Sequence, residues 1–270
     1  MASAARRKIP LARYPFAVEL SYRIILRRLV DETRRVALLE INANAGAIIR
    51  RSKIHREDAD SPEPSGWAAM LKALLLRIAN GMTSGLLTAL GRIGSISRQA
   101  DGVNKSEFRK QVRAAYGVDI LRNEPRLSDL LSAWEQENLA LITSIPAQIV
   151  EQLRGRMTQA FVDGTSLREL TKIVRERTDV GEARGNLIAR DQIGRLNGQL
   201  AEMRQRSIGV DEYIWRTSQD ERVRPTHRVR DGKTYRWDAG GIRPGSEIRC
   251  RCNASPVFPD FADARLARTG

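Results

Sequence analysis

Two cysteines and two histidines are the chain's only thiol and imidazole groups, and three of these four, His227, Cys250 and Cys252, lie beyond residue 220. Cys250 and Cys252 are one residue apart. In an extended strand residues i and i+2 face the same side, so the spacing predicts two thiols presented together, with Arg249 and Arg251 pointing away. Paired thiolates are half of a tetrahedral zinc set, which draws on Cys, His and carboxylate donors at about 2.0–2.3 Å. A Cys-x-Cys pair departs from the usual C-x₂₋₄-C knuckle, and the alternative is two buried thiols packing as small apolar side chains. His227 has its own bland reading, a hydrogen-bonded loop histidine, and His55 in the basic tail of the first helix reads as a surface residue.

Catalysis has less to work with. A general acid–base or nucleophilic scheme needs two groups in mutual reach, and here a single loop histidine has no identifiable partner. No Walker, dinucleotide-binding or zincin motif is present. The stretch Arg222–Arg236, RVRPTHRVRDGKTYR, alternates Arg with apolar or turn residues. As a strand it would display Arg222, Arg224, Arg228 and Arg230 along one edge, a ridge able to follow a phosphate backbone without reading bases. A charged edge strand that resists aggregation is the competing reading.

The 270 residues carry 46 Lys plus Arg against 32 Asp plus Glu, a net charge of +14. Of the basic residues 39 are Arg, whose guanidinium suits bidentate contact with phosphate and carboxylate, so the balance invites a polyanion partner. At 41% apolar the chain can build a core, and the composition excludes collagen-like, disulfide-stapled and wholly disordered classes. Arg13 and Pro15 interrupt the N-terminal apolar residues, so no signal peptide is expected, and the two cysteines should be reduced thiols. The most apolar stretch, Trp67–Ile93, has an uncharged run of only Ile78–Gly91, shorter than the ~18 residues of a membrane span, and reads as an amphipathic helix away from any membrane.

The elements that must position the candidate residues are mostly helical. Val18, Tyr22, Ile25, Leu29, Val36, Leu39 and Ala43 form a coiled-coil-like seam along a first helix of roughly 35 to 40 residues. Glu57–Gly66 reads as a hinge, Gly94–Lys105 as a loop, and Ser106–Tyr116 as a short helix stopped by Gly117. Pro125 opens a helical block over Leu127–Phe161 that Pro146 should kink or split. Ser166 and Glu169 are spaced as a capping box for a helix to Arg177, and a further helix follows Val180-Gly181 and ends at Gly209. Beyond Val210 the period changes: Glu212–Thr217 reads as a strand, Asp231-Gly232 as a two-residue hairpin turn between alternating segments, and Glu247–Cys252 as another extended piece. The fold class is therefore mainly α with a small α+β C-terminal module. The expected segments are a long basic helix over residues 1–60, a helical region over 61–140, a compact module over 141–258 and a tail over 259–270.

From Ile145 onward the chain resembles the phage head morphogenesis family, the Mu F-like minor head proteins of tailed phages and prophages. The matching motifs run in order: DGTSLREL, the IARDQIGRLNGQ helix, GVDEYIWRTSQDERVRPTH, RDGKTY and a closing IRCRCNASPV. The chain departs from the family where Asp191-Gln192 stands for a Thr-Glu pair and Arg243-Pro244-Gly245-Ser246 for a Pro-Pro-x-His. The positions that keep the family's polar pattern are Asp220, His227, Cys250 and Cys252, which makes them the metal-ligand candidates, for a structural zinc that ties the module together. The resemblance implies a minor capsid component acting in procapsid assembly at the portal vertex. Its partners would be portal, capsid or scaffolding proteins and double-stranded DNA, first in the bacterial cytoplasm and then inside the head. Two alternatives stay open, a sequence-independent DNA-binding protein of packaging or ejection, and a nuclease or toxin-like enzyme using His227.

Overall fold

The computed structural model describes residues 9–57, 66–118 and 127–260. The fold is mainly α with a small three-stranded antiparallel sheet near the C-terminus. The helices are α1 (Phe16–Glu57), α2 (Gly66–Gly81), α3 (Thr83–Leu90), α4 (Ile93–Tyr116), α5 (Ser128–Asp163), α6 (Leu167–Ser207) and the short α7 (Pro225–Arg228). The strands are β1 (Glu212–Arg216), β2 (Thr234–Arg236) and β3 (Asn253–Val257), in the order β2-β1-β3. Most of the hinge expected over Glu57–Gly66 lies outside the described residues, as do Pro125, the side chain of His55, the first eight residues and the tail beyond residue 260.

The chain forms two compact units, each gathered from separate stretches. One comprises Met1–Ser21, Gly94–Gln136 and Ala189–Gly270, and the other Tyr22–Ile93 and Glu137–Ile188.

The second unit is a helical assembly. Along α1 the seam is buried at Tyr22 and Leu29 but has turned away by Leu39, which is 56% exposed; Ala37, Ile41, Ala45 and Ile48 carry the buried face instead. A straight helix of 3.6 residues per turn drifts about 20° per heptad from a 3.5 repeat, and over α1 that drift moves the apolar stripe off the expected positions. Trp67, Leu71, Leu74, Leu75, Ile78 and Met82 are buried as the helical spacing predicts. Pro146 does not split α5, which runs unbroken from Ser128 to Asp163. Nor does Val180-Gly181 end a helix. Gly181 lies within α6 because a Cβ there would stand 2.7 Å from Ile149 Cδ1, so the glycine marks close helix packing rather than a stop. Gly81 plays the same part, since its Cβ would meet Val36 Cγ1 at 2.6 Å.

By length and composition, the stretch Gly66–Tyr116 meets the requirement for crossing a membrane: an 18-residue window has a mean hydropathy of 1.3 and is 28% buried. The stretch is broken at Met82 and again at Gly91-Arg92, and so divides among α2, α3 and α4.

The first unit corrects three expectations. Gly94–Lys105 is the first half of α4, not a loop. Its small and polar residues hide the helix because the face they bury is mixed, with Ser97 and Asn104 set among Ile96 and Ala100. Ser97, Asn104 and Gln111 are buried, Ser97 Oγ donates to Glu135, and Asn104 Nδ2 donates to both oxygens of Asn197 at 3.1 and 3.0 Å. Asp231-Gly232 does not join two adjacent strand segments. β2 pairs with β1 through Tyr213↔Tyr235, the connection between them spans residues 217–233, and Asp231 Oδ1 accepts the Thr217 N–H across its neck at 2.8 Å. Glu247–Cys252 is a turn-rich loop in which Arg249 has φ +62°, and the strand begins only at Asn253. Elsewhere the sequence grammar matches: Gly117 (φ +79°) follows α4, and the N–H of Glu169 donates to Ser166 Oγ at 3.2 Å.

Packing glycines and idle glycines should separate in a urea titration. Gly181→Val is expected to cost about 1–3 kcal/mol by overpacking. Gly102→Ala, whose new methyl meets nothing within 4 Å in α4, should gain about 0.5–1 kcal/mol. Equal midpoints for the two variants would contradict this account.

Candidate metal centre

The loop that carries both cysteines lies directly on the backbone of α6. A Cβ on Gly194 would stand 2.6 Å from Cys250 O, and one on Gly198 would stand 2.3 Å from Pro244 O. Neither position has room for a side chain, and the atoms in the way are backbone. Gly245, at φ +86°, turns the loop at this contact. Asp191 Oδ1 accepts the N–H of Arg249 at 3.1 Å and holds the positive-φ residue that precedes Cys250. Arg251, between the cysteines, forms a two-pronged pair with Glu19 at 3.1 and 2.6 Å, and its guanidinium lies 4.9 Å from the centre of the Phe16 ring. Three anchors therefore fix the loop: a glycine contact, an aspartate clamp and a nearly buried ion pair.

His227 reaches the cysteines from α7, a single turn opened by Pro225. It is 3% exposed and lies edge-on to Trp215, with ring centres 5.3 Å apart. Its two ring nitrogens have different surroundings. Nε2 is 2.5 Å from Glu247 Oε2, whereas Nδ1 is 3.6 Å from Cys250 Sγ and 3.5 Å from Cys252 Sγ. Both cysteines are buried and free of any disulfide, and they pack with Tyr213, Trp215, Trp237 and Ala254 in a small apolar cluster. Cys250 Sγ also accepts the backbone N–H groups of Gly245 at 3.3 Å and Cys252 at 3.4 Å.

The two thiols do not titrate alike. Cys250 is pushed down to about 6, first by the hydrogen bond from the Cys252 thiol and, against the opposing effect of burial, by the two backbone N–H groups and His227. Cys252 is pushed up by giving that hydrogen bond and by burial. Hydrogen bonding from His227, and then the hydrogen bond and charge of Arg224, hold Glu247 below the ordinary carboxylate range despite some desolvation.

Of the four ligand candidates, His227, Cys250 and Cys252 come together, their donor atoms all within 4.8 Å of one another. Asp220 is not in that group. Its Oδ1 accepts the Arg222 N–H at 3.0 Å and closes a loop, which is how a short carboxylate often serves a turn. The pair of thiols does converge, but by the loop's turn rather than by strand alternation, and Arg251 is held against Glu19.

The expected arginine ridge does not form, because Pro225–Arg228 is helical and the residues around it are turns. Arg224 donates to Glu247 Oε2 at 2.8 Å and to Ile248 O at 2.6 Å, and Arg228 donates to Val223 O at 3.4 Å. Arg230 lies over Trp215 and Tyr235, 5.4 and 5.6 Å from the ring centres. Instead, Arg190, Arg222, Arg224, Arg249 and Arg251 share the lining of a cavity of about 290 Å³ with the cysteines and His227. With Nε2 on Glu247 and Nδ1 on the sulfurs, neither ring nitrogen of His227 is presented to a substrate.

Glu247, Asp191 and the Gly194/Gly198 pair escaped sequence reasoning. G-x-x-x-G within IGRLNGQ is the local signal that a backbone packs closely there; nothing local marks Glu247.

Residues 151–255 match the family model described as Phage Mu protein F like protein. An uncharacterized protein of Haemophilus influenzae (strain Rd) is 32% identical over 171 residues, 61% of this chain and 38% of that relative. The chain thus spans well under half the length of that curated relative. No solved structure matches.

Breaking the Arg251 pair should loosen the cysteine loop. Glu19 is 3% exposed, and Glu19→Ala is expected to cost about 3–5 kcal/mol because it leaves a nearly buried guanidinium unpaired. A loss below about 1 kcal/mol in denaturant unfolding would place the pair in the class of surface ion pairs. The matched span takes in α6, β1, α7 and both cysteines, so residues 151–255 are similar to the Mu F-like family, as the C-terminal motifs imply.

Proposed function

We propose that this chain is a minor head protein of a tailed phage or prophage that acts in procapsid assembly at the portal vertex. The observation that carries this reading is the Mu F-like match over residues 151–255, which contains the anchored cysteine loop. A protein of this kind works by contact, and exposed apolar side chains supply the means. Leu11, Phe16 and Leu20 are each more than half exposed near the start of the chain, as are Leu76 and Leu87 in the second unit. Phe16 and Leu20 stand one turn apart on α1, and contiguous apolar exposure is what marks a protein contact. The partners in this reading are the portal and the capsid or scaffolding proteins, met in the bacterial cytoplasm and retained inside the head.

A second reading, sequence-independent contact with packaged DNA, is favoured by one observation. Five guanidinium groups line a single cavity in a chain of net charge +14. Such contact would be electrostatic and would weaken steeply with salt.

Co-purification separates the two. Tagged protein isolated from nuclease-treated lysate of the producing strain should bring down the cognate portal at both low and high salt. Portal absent at both salts, with nucleic acid carried at low salt alone, would reject the assembly role in favour of the DNA-binding one.

A further inference from the structure

We propose that His227 Nδ1, Cys250 Sγ and Cys252 Sγ bind a zinc ion, that Glu247 orients His227 from its far side, and that solvent from the arginine-lined cavity fills the fourth position. Distance is the first argument. A tetrahedral ion with Zn–S of about 2.3 Å and Zn–N of about 2.0–2.1 Å places its sulfur and nitrogen ligands about 3.5–3.6 Å apart. The two sulfurs lie 3.6 and 3.5 Å from Nδ1. Both sulfur-to-nitrogen edges are thus already at the length the ion requires, and all three donor atoms lie within 4.8 Å of one another.

The second argument concerns protons. When Nε2–H donates to Glu247, Nδ1 is left with one lone pair, and only one S–H can use it. Two sulfurs nevertheless converge on that nitrogen, and both cysteines are buried. One cation satisfies all three lone pairs at once. Binding transfers the thiol protons to solvent and leaves two thiolates on the ion, and Cys250 Sγ is already furnished for that charge by the N–H groups of Gly245 and Cys252.

The third argument lies behind the histidine. Zinc-bound histidines as a rule donate their other ring N–H to a carboxylate, carbonyl or water, which fixes tautomer and ring orientation. Glu247 Oε2 takes that place at 2.5 Å, and Arg224 holds the same oxygen at 2.8 Å. Asp220 lines the cavity, but its carboxylate belongs to the Arg222 turn and not to the cluster.

Metal content of the full-length protein, purified with zinc present and then desalted, tests this. One zinc per chain is expected. Cobalt(II) in its place should give near-ultraviolet sulfur-to-cobalt charge transfer together with the visible bands of a tetrahedral site. Cys250→Ser and Cys252→Ser should each lose the metal, Asp220→Ala should keep it, and Glu247→Gln should bind zinc about 10–100-fold more weakly. Because the serine variants could also unfold, the wild-type protein supplies an independent reading: a chelator should lower its melting temperature, and added zinc should restore it. Absence of both zinc and the cobalt–thiolate band from folded wild-type protein would overturn the proposal, as would full zinc content in the serine variants. Loss of metal from a folded Asp220→Ala variant would overturn the open fourth position.

Discussion

Backbone meets backbone where the loop of residues 244–252 crosses α6, and the position of both cysteines follows from that contact. Gly194 and Gly198 leave no side chain between helix and loop, so the carbonyls of Cys250 and Pro244 approach the helix surface itself. Interiors pack densely enough that an extra methyl at such a point must be accommodated by movement, and here only main chain could move. With the loop seated this low, its sulfurs lie inside the cluster formed by Trp215 and Trp237. His227 then needs only one helical turn to reach them. Arg251–Glu19 and Arg249–Asp191 secure the two flanks, and the positive φ of Arg249 is tolerated because both neighbours of the turn are held.

A buried polar network reinforces the same region. Arg204, with no exposure, donates to Asn104 Oδ1 at 2.7 Å and to Asp101 Oδ1 at 2.6 Å. Asn104 donates to Asn197, which in turn donates to Asn253 at the start of β3 at 3.1 Å. α4, α6 and the sheet are thereby joined through directional bonds, and such a network is stabilising only when all of its members are in place. Gln205 extends it, donating to Ala254 O at 3.0 Å and accepting from the Trp237 indole at 3.2 Å. The sheet is small, with strands of five, three and five residues, and these side-chain bonds supply what its own ladder cannot.

Legibility from sequence divided along physical lines. Apolar periodicity revealed α1, the stripe from Trp67 to Met82 and most of α5, because those faces bury hydrocarbon. It failed at Gly94–Lys105, where Ser97 and Asn104 interrupt the buried face of Ile96 and Ala100 and hydrogen bonds to α5 and α6 add to the apolar burial. Glycine misled at Gly181 for the same reason: as local punctuation it suggests a stop, but as a packing residue it permits an approach. The converging thiols were legible from residue type and spacing, although the geometry that brings them together is a strained turn, not a strand. Asp220 resembled a ligand by chemical type alone. Glu247, which touches His227, is an ordinary surface glutamate until the fold brings it within reach.

α6 runs unbroken from Leu167 to Ser207, and that continuity fixes the register of its contacts. Asp191, Gly194, Asn197, Gly198 and Gln205 all engage the sheet or its loops from one continuous helix, at a rise of 1.5 Å and a turn of 100° per residue. The helix thus acts as a ruler. Adding or removing a single residue between Asp191 and Gln205 would rotate half of these contacts to another side of the rod, although no candidate ligand lies on the helix. The exposed turn at Asp238–Gly241 carries no comparable constraint. Length in this domain should therefore vary between relatives in that exposed turn, while the helix and the loop seated on it keep their count.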